Sequence, residues 1–291
     1  MPVNNGKRRI VITGSSGFIG SEIYRQLDTP KYFNDLYVVP LKYRMDISEQ
    51  SQVVDILSEA RPDIIIHLAG VSSPDICEIN QEHAYNINYL GTKHIVDYSA
   101  SIGCKLVYAS TDYVFDGDSG PYRETTTQSP INYYGRTKVL GEKYILNNHK
   151  ENSSIIRIPI VYGAHEKSFV NQIIIALAEK KNIYLNNTQI RYPIFCEDLA
   201  SYFVKVVVGD HSGILHIPGL TGITKYAWGK YIASIVKRED YAIRINDVLG
   251  TCEALRPRDC NLVSNNGMNV NLPCRNVFDG TRFYIKKHSL G

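Results

Sequence analysis

The chain has 291 residues, 44% of them hydrophobic and 21% charged, with a formal net charge of +3. That length is enough for a large buried core, as one α/β domain or one domain with a smaller lobe. Lysines and arginines are scattered, which argues against a nucleic-acid-binding domain, and no apolar run approaches the ~18 residues that cross a bilayer.

The segment Met1-Pro2-Val3-Asn4-Asn5-Gly6 is polar and predicts no signal peptide. Lys7-Arg8-Arg9 reads as a solvated lead-in to a first strand, Arg9 to Thr13. A glycine turn follows, then a helix from about Phe18 to Leu27 and a second strand, Leu36 to Val39. Val53, Ile56, Leu57 and Ala60 recur at helical spacing, predicting a helix from Ser48 to Ala60 with Ser48 and Ser51 offering an N-cap. Asp63 to Leu68 is the third strand, Glu82 to Ile102 a long helix, and Lys105 to Ala109 the fourth strand. Tyr134 to Asn147 is helical and Ser154 to Ile158 a fifth strand. After Gly163 the pattern loosens, with helices at about Ser168 to Lys180 and Lys225 to Lys237 and short strands between Asn182 and Arg191. The end, from about Asn265, is rich in Asn, Gly and Pro and reads as partly mobile.

Strand–helix alternation with continuous apolar strands predicts an α/β fold, a parallel sheet covered on both faces. Such sheets bind ligands beyond the carboxyl ends of their strands. Residues 1–160 are expected to form the cofactor-binding domain. Residues 161–291 are expected to be mainly a small substrate-binding lobe, with some segments returning to the sheet. The six cysteines, Cys77, Cys104, Cys196, Cys252, Cys260 and Cys274, form no CxxC pair, so they read as reduced thiols of a cytoplasmic protein, with no metal site.

Three motifs fall at those carboxyl ends. Gly14-Ser15-Ser16-Gly17-Phe18-Ile19-Gly20 joins the first strand to the first helix, so its backbone can approach a pyrophosphate and the helix can offer free N–H groups. A plain strand–helix turn is the bland alternative. The second strand runs into Pro40-Leu41-Lys42-Tyr43-Arg44 with no acid to hold a ribose 2′-OH, which favours NADPH over NADH. Lys42 and Arg44 could equally be ordinary exposed bases. Asp46 and Ile47 are expected against the adenine, and Leu68-Ala69-Gly70 offers a small-residue shelf for a ribose. Tyr134 and Lys138 share a helix face at i and i+4, where an ammonium would pull the phenol's pKa towards neutrality, as a general acid at a carbonyl oxygen requires. Thr111 supplies a hydroxyl to fix that carbonyl. Ser110 competes with it, but alternation along the strand lets only one face the site. With 21 tyrosines in the chain, a core aromatic is the bland reading of Tyr134 taken alone.

Taken together, these motifs resemble the extended short-chain dehydrogenase/reductases, which are Rossmann-type. Ser110-Thr111-Asp112-Tyr113-Val114-Phe115-Asp116-Gly117 and Pro130-Ile131-Asn132-Tyr133-Tyr134-Gly135-Arg136-Thr137-Lys138-Val139-Leu140-Gly141-Glu142 look like the dTDP-4-dehydrorhamnose reductases within that group, as does Arg256-Pro257-Arg258-Asp259-Cys260-Asn261-Leu262. The resemblance runs from about Arg9 to Leu262. It implies a doubly wound sheet with a C-terminal substrate lobe and Thr111, Tyr134 and Lys138 as catalytic residues. Asn88 would steady the lysine through water, and NADPH would be the cofactor. The implied substrate is a nucleoside diphosphate 4-keto-6-deoxyhexose, with Asp112, Tyr113, His165, Arg191 and Arg256 on the substrate side; a homodimer is a possible assembly.

Two further resemblances keep alternatives open. The regulatory β subunit of methionine adenosyltransferase carries segments similar to Tyr113-Val114-Phe115-Asp116-Gly117 and Arg157-Ile158-Pro159-Ile160-Val161-Tyr162-Gly163, and it is chiefly a binding partner. The epimerase/reductases typified by GDP-fucose synthase have a cysteine where this chain has Tyr113, and a histidine at a position resembling His165. A surface loop histidine is the bland reading of His165. Reduction without epimerisation is therefore the expectation.

Overall fold

The computed structural model describes residues 6–32, 35–39, 41, 44–238, 243–246, 254–264 and 274–288. Lys42 and Cys252 lie outside the described residues, as do 265–273 and 289–291 of the end expected to be partly mobile from about Asn265; the described part of that end carries a helix over Val277–Lys287.

Six parallel strands form the central sheet: β1 (Arg8–Thr13), β2 (Leu36–Val38), β3 (Ile64–His67), β4 (Lys105–Thr111), β5 (Ser153–Ile158) and β10 (Gly213–His216). Their order is β10-β5-β4-β3-β1-β2. The chain leaves β1 for β2 on one side and returns to β3 on the other, which opens a crevice between the carboxyl ends of β1 and β3. Alternation along β1 sorts its side chains to two layers. Ile10 and Ile12 face α1 (Phe18–Leu27) and α8 (Cys196–Val208), through Ile23, Leu27, Leu199 and Phe203. Val11 faces α2 (Gln50–Ala60), α5 (Gly91–Ile102) and α6 (Tyr133–Asn148), through Val53, Leu57, Ile95 and Ile145. This is a Rossmann-type doubly wound α/β sheet.

The expected long helix is more complex. α3 (Pro74–Ile79) and α4 (Gln81–Tyr85) come first, then a π-helical turn over Asn86–Leu90 leads into α5. A π turn inserts extra backbone and turns a side chain out of helical register, and here it carries the buried Asn88. Ser48 does not cap α2. Its hydroxyl donates to Asp46 Oδ1 at 2.7 Å, and the N-cap position is Glu49 with no side-chain bond.

The remaining elements are β6 (Val161–Tyr162), α7 (Phe169–Ala178), β7 (Ile183–Leu185), β8 (Ile190–Arg191), β9 (Ile194–Phe195), β11 (Ile223–Thr224), α9 (Lys225–Ile235), β12 (Ile243–Ile245) and α10 (Val277–Lys287). α7, α9 and α10 enclose a separate apolar cluster around Trp228, with Phe169, Ile173, Ile232 and Tyr284. Neither α8, β10 nor α10 was legible from local pattern. α8 ends in the β-branched run Val206-Val207-Val208, whose local preference is for strand. Among the described residues no helix is long and apolar enough to cross a membrane, and no group of acidic, histidine or cysteine side chains could hold a metal ion.

Candidate active site

The glycine turn closes the β1 end of the crevice. Gly14 has φ of +71°, which favours glycine, and a Cβ there would lie 3.0 Å from the Ala69 nitrogen. A Cβ on Gly20 would run into the Gly14 carbonyl oxygen, so α1 starts hard against the turn. Gly17 is the N-cap of α1 and donates its N–H to Gly14 O at 2.9 Å. α1 has no side-chain cap and no acid in its first turn, so its first N–H groups and positive dipole end are left for an anion. Ser16 is exposed there, Phe18 and Ile19 half-buried.

Across the crevice, Leu68-Ala69-Gly70 is held by a buried chain of hydrogen bonds. Leu68 and Ala69 each donate their N–H to Thr13 Oγ1 at 3.2 Å. Thr13 bonds His67 Nδ1 at 2.7 Å, and His67 Nε2 bonds Thr92 Oγ1 at 3.1 Å. Thr92 donates onward to the Asn88 carbonyl at 2.7 Å, so its oxygen accepts from His67 and the ring carries its proton on Nε2. Burial, with the Lys138 charge beside it, pushes the His67 pKa down to about 3. Sequence reasoning missed His67, which stood in an apolar strand with nothing to mark a partner.

Asn88 accepts from Val71 N at 2.7 Å and donates to Val71 O at 3.1 Å and to Thr137 Oγ1 at 3.2 Å. A Cβ on Gly70 would lie 2.9 Å from the Asn88 oxygen. Asn88 thus ties the shelf to the turn of α6 just before Lys138. Arg44 and Asp46 are exposed, whereas Ile47 is buried, its side chain occupying the space that Gly91 leaves on α5.

β4 and α6 meet at the next strand end. Asn132 caps α6 by accepting the Gly135 N–H at 2.8 Å. A Cβ on Gly135 would strike the Tyr113 carbonyl oxygen, so glycine lets α6 dock against the segment after Thr111. Tyr113 and Tyr134 meet edge to face, 6.2 Å between centroids. Thr111 and Lys138 are buried, at 6% and 8% exposure. Ser110 and Thr111 diverge as alternation requires: the Ser110 hydroxyl donates to Glu142, while Thr111 stands with Tyr134 and Asp112.

The expected acidification of Tyr134 is corrected by the geometry. Burial raises the Tyr134 pKa, only partly opposed by a hydrogen bond with Thr111. The Lys138 ammonium lies over the Tyr108 ring, 4.1 Å from its centroid. Burial brings the Lys138 pKa down to about 7, with Glu142 opposing the fall. The same pocket raises the Asp112 carboxyl to about 6 through burial, against the pull of Arg191 and the Thr111 hydroxyl.

On the outer side, the Arg191 guanidinium lies 5.8 Å from the Tyr113 ring centroid and donates to the Pro257 carbonyl at 2.9 Å. Arg256 is paired with Asp75 at 2.6 Å, at the start of α3. His165 stacks on Phe18 with centroids 5.0 Å apart, and its Nδ1 accepts from Lys167 N at 3.2 Å. It therefore lies over the glycine turn, on the β1 side of the crevice. Glu142 and Arg157 form a fully buried ion pair at 2.7 Å, which sequence reasoning did not find. An arginine set among the isoleucines of β5 was the available signal.

A doubly wound sheet with a glycine turn at its switch point, and a hydroxyl, a phenol and a lysine gathered at β4 and α6, defines an extended short-chain dehydrogenase/reductase. Within that class the chain belongs to the RmlD substrate binding domain family, which matches residues 8–274. The crystal structure of dTDP-4-dehydrorhamnose reductase from Bacillus anthracis in complex with NADP superposes with a TM-score of 0.87 at 29% identity, over 97% of this chain and 99% of that one. Methionine adenosyltransferase 2 subunit beta of Xenopus tropicalis is 31% identical over 236 residues, 75% of this chain and 69% of the relative. Spore coat polysaccharide biosynthesis protein SpsK of Bacillus subtilis is 33% identical over 231 residues, 79% of this chain and 78% of the relative.

Proposed function

We propose that the chain is an NADPH-dependent reductase of the C4 ketone of a nucleoside diphosphate 4-keto-6-deoxyhexose. The observation that carries this reading is the juxtaposition of Thr111, Tyr134 and the buried Lys138 beside the β1–β3 crevice. The NADP-bound relative from Bacillus anthracis supports the cofactor. The residues present fit it: the Gly14 backbone excludes a Cβ, and the N-terminus of α1 is uncapped. On this reading the turn Gly14 to Gly20 holds the pyrophosphate, Leu68 to Gly70 faces a ribose, and Lys138 holds the nicotinamide ribose. Bound NADPH supplies the hydride. Thr111 orients the sugar carbonyl, and Tyr134 gives its phenolic proton to the oxygen as charge develops there. A phenol held protonated by burial is suited to donate that proton. Lys138 stabilises the phenolate left behind. Asp112, Tyr113 and Arg191 form the sugar and diphosphate side, with those parts of residues 161–291 that do not return to the central sheet as its lobe.

The position of His165 on Phe18 supports reduction without epimerisation, because it stacks over the cofactor turn on the β1 side of the crevice. A second reading, a regulatory NADP-binding subunit, is favoured by the 31% identity to a methionine adenosyltransferase subunit. Incubation with NADPH and a panel of dTDP-, UDP- and GDP-4-keto-6-deoxyhexoses tests the enzyme. Turnover of at least one sugar is expected, and Tyr134→Phe should lower it by ~10² or more while leaving NADPH binding intact. Undiminished turnover in that variant sinks the assignment. No turnover at all, together with a stable hetero-complex, moves the weight to the regulatory subunit.

A further inference from the structure

Glu142 is fully buried, with 0% exposure, and the reduction as written makes no use of it. It stands one helical turn after Lys138 on the same face of α6. Its Oε1 accepts from the hydroxyl of Ser110, the residue directly before Thr111. Arg157 on β5 grips the carboxylate through Nη2 at 2.7 Å and Nε at 3.1 and 3.2 Å. Gln128 adds a bond at 2.5 Å. Arg157 Nη1 reaches His216 Nε2 on β10 at 3.2 Å. A guanidinium only donates, so His216 accepts there and is neutral, in line with the fall of its pKa to about 4 through burial and the Arg157 charge. The carboxylate thus joins α6 to β4 and β5, and through Arg157 to β10.

A buried ion pair adds little net stability over an apolar pair of the same shape, so its presence calls for another reason. We infer that Ser110, Glu142 and Arg157 form a positioning clamp that sets α6 against the end of β4, aligning Tyr134 and Lys138 with Thr111 and keeping a negative charge beside the Lys138 ammonium. This rests on the reductase reading of the site. The groups facing Lys138 are Tyr108 on β4, His67 on β3, Cys77 on α3 and Glu142 on its own helix, with Tyr134 one turn earlier along α6. Burial raises the Tyr108 and Tyr134 phenols and carries the Cys77 thiol up to about 11. Near neutral pH, Glu142 therefore supplies the counter-charge.

Two variants separate the roles. Ser110→Ala removes a hydrogen bond and no charge; Glu142→Gln removes the charge and keeps the shape. In Ser110→Ala, kcat should fall about ten-fold or more through misalignment, with the KM for NADPH nearly constant. In Glu142→Gln, the high-pH limb of the kcat profile should move to lower pH. Side-chain 15N NMR of Lys138, which needs no substrate, should report the same downward move. If Glu142→Gln does not fold, because Arg157 is left buried and unpaired, Glu142→Leu with Arg157→Met replaces the pair by apolar groups and should show the same two changes. Native kcat in Ser110→Ala, or a native Lys138 titration in a folded variant lacking the Glu142 charge, overturns the clamp. If the unmodified protein reduces none of the keto sugars, the substrate reading fails, and the Lys138 titration alone decides the clamp.

Discussion

Lys138 shows how burial sets the chemistry of a single residue here. Its unfolded pKa is ~10.4, and the fold lowers it to about 7. Between those values the unfolded chain holds a proton that the folded chain has released, so stability from this group rises as pH climbs from about 7 to about 10. At pH 7 and below, the charge is present in both states and its burial costs stability in full. Lys138→Met should therefore stabilise the fold at pH 7 by about 2–4 kcal/mol and flatten the rise between pH 7 and 10. Urea unfolding at both ends of that window checks this. Equal stability and an unchanged slope would refute it. Such a gain in stability with a loss of turnover is expected where a site holds a residue against its own solvation.

Cofactor choice belongs to the same scale. With no acid following β2, NADPH should bind more tightly than NADH, and Lys42→Ala with Arg44→Ala should narrow the gap. A charged hydrogen bond to a phosphate contributes ~1.5–3 kcal/mol, roughly ten- to a hundred-fold in affinity. Equal affinity for both cofactors in the unmodified protein, measured by fluorescence titration, would remove the idea.

At the scale of elements, the site depends on how closely helices approach loops. Gly135 lets the start of α6 rest on the Tyr113 carbonyl, and Asn132 caps the same turn. Gly135→Ala puts a methyl into that carbonyl, so either α6 or the Asp112–Val114 turn must shift. A cost of about 1–3 kcal/mol is expected, as for other overpacked contacts. A fall of ~10² in turnover is also expected, since an ångström of misplacement at reacting groups has that scale. Thermal melting and kinetics on the purified variant read both effects; a variant with native turnover would show that the contact does not set the catalytic geometry. The same scale explains what was legible beforehand. Gly14, Gly17, Gly20, Thr111, Tyr134 and Lys138 were readable because each sits at a fixed offset from a strand or along a helix. Asn88 was placed on a helix, but the π turn that faces it inward has no local signature. Ser48 looked like a cap because only its type was visible; Asp46, two residues back, holds its hydroxyl.

Across the whole molecule, the two halves of the chain share one sheet. β10 pairs with β5, and α8 covers the layer that α1 covers beside it, so residues well beyond 160 complete the central core. Without them, Val107, Ile156 and Ile158 would lose Leu199, Phe203 and Leu215 from their common cluster. A fragment of residues 1–160 should therefore show no cooperative unfolding transition, whereas the full chain should. A fragment with a sharp transition and native-like near-UV signal would contradict this.

By itself the sequence determined the layer pattern and the chemistry at the strand ends. Continuous apolar runs in β1 and β3 and helical periodicity in α2 are local patterns, and the glycine, hydroxyl, phenol and lysine motifs carry their spacing with them. Tertiary structure alone decided the rest, because it depends on contacts between residues far apart in the chain. Glu142 meets Arg157 and Ser110 only when α6, β5 and β4 are packed together. Arg256 finds Asp75, and His165 finds Phe18, across more than a hundred residues of chain. The direction of the Tyr134 and Lys138 shifts belongs here too, since desolvation is a property of the assembled pocket and cannot be read from i and i+4 spacing.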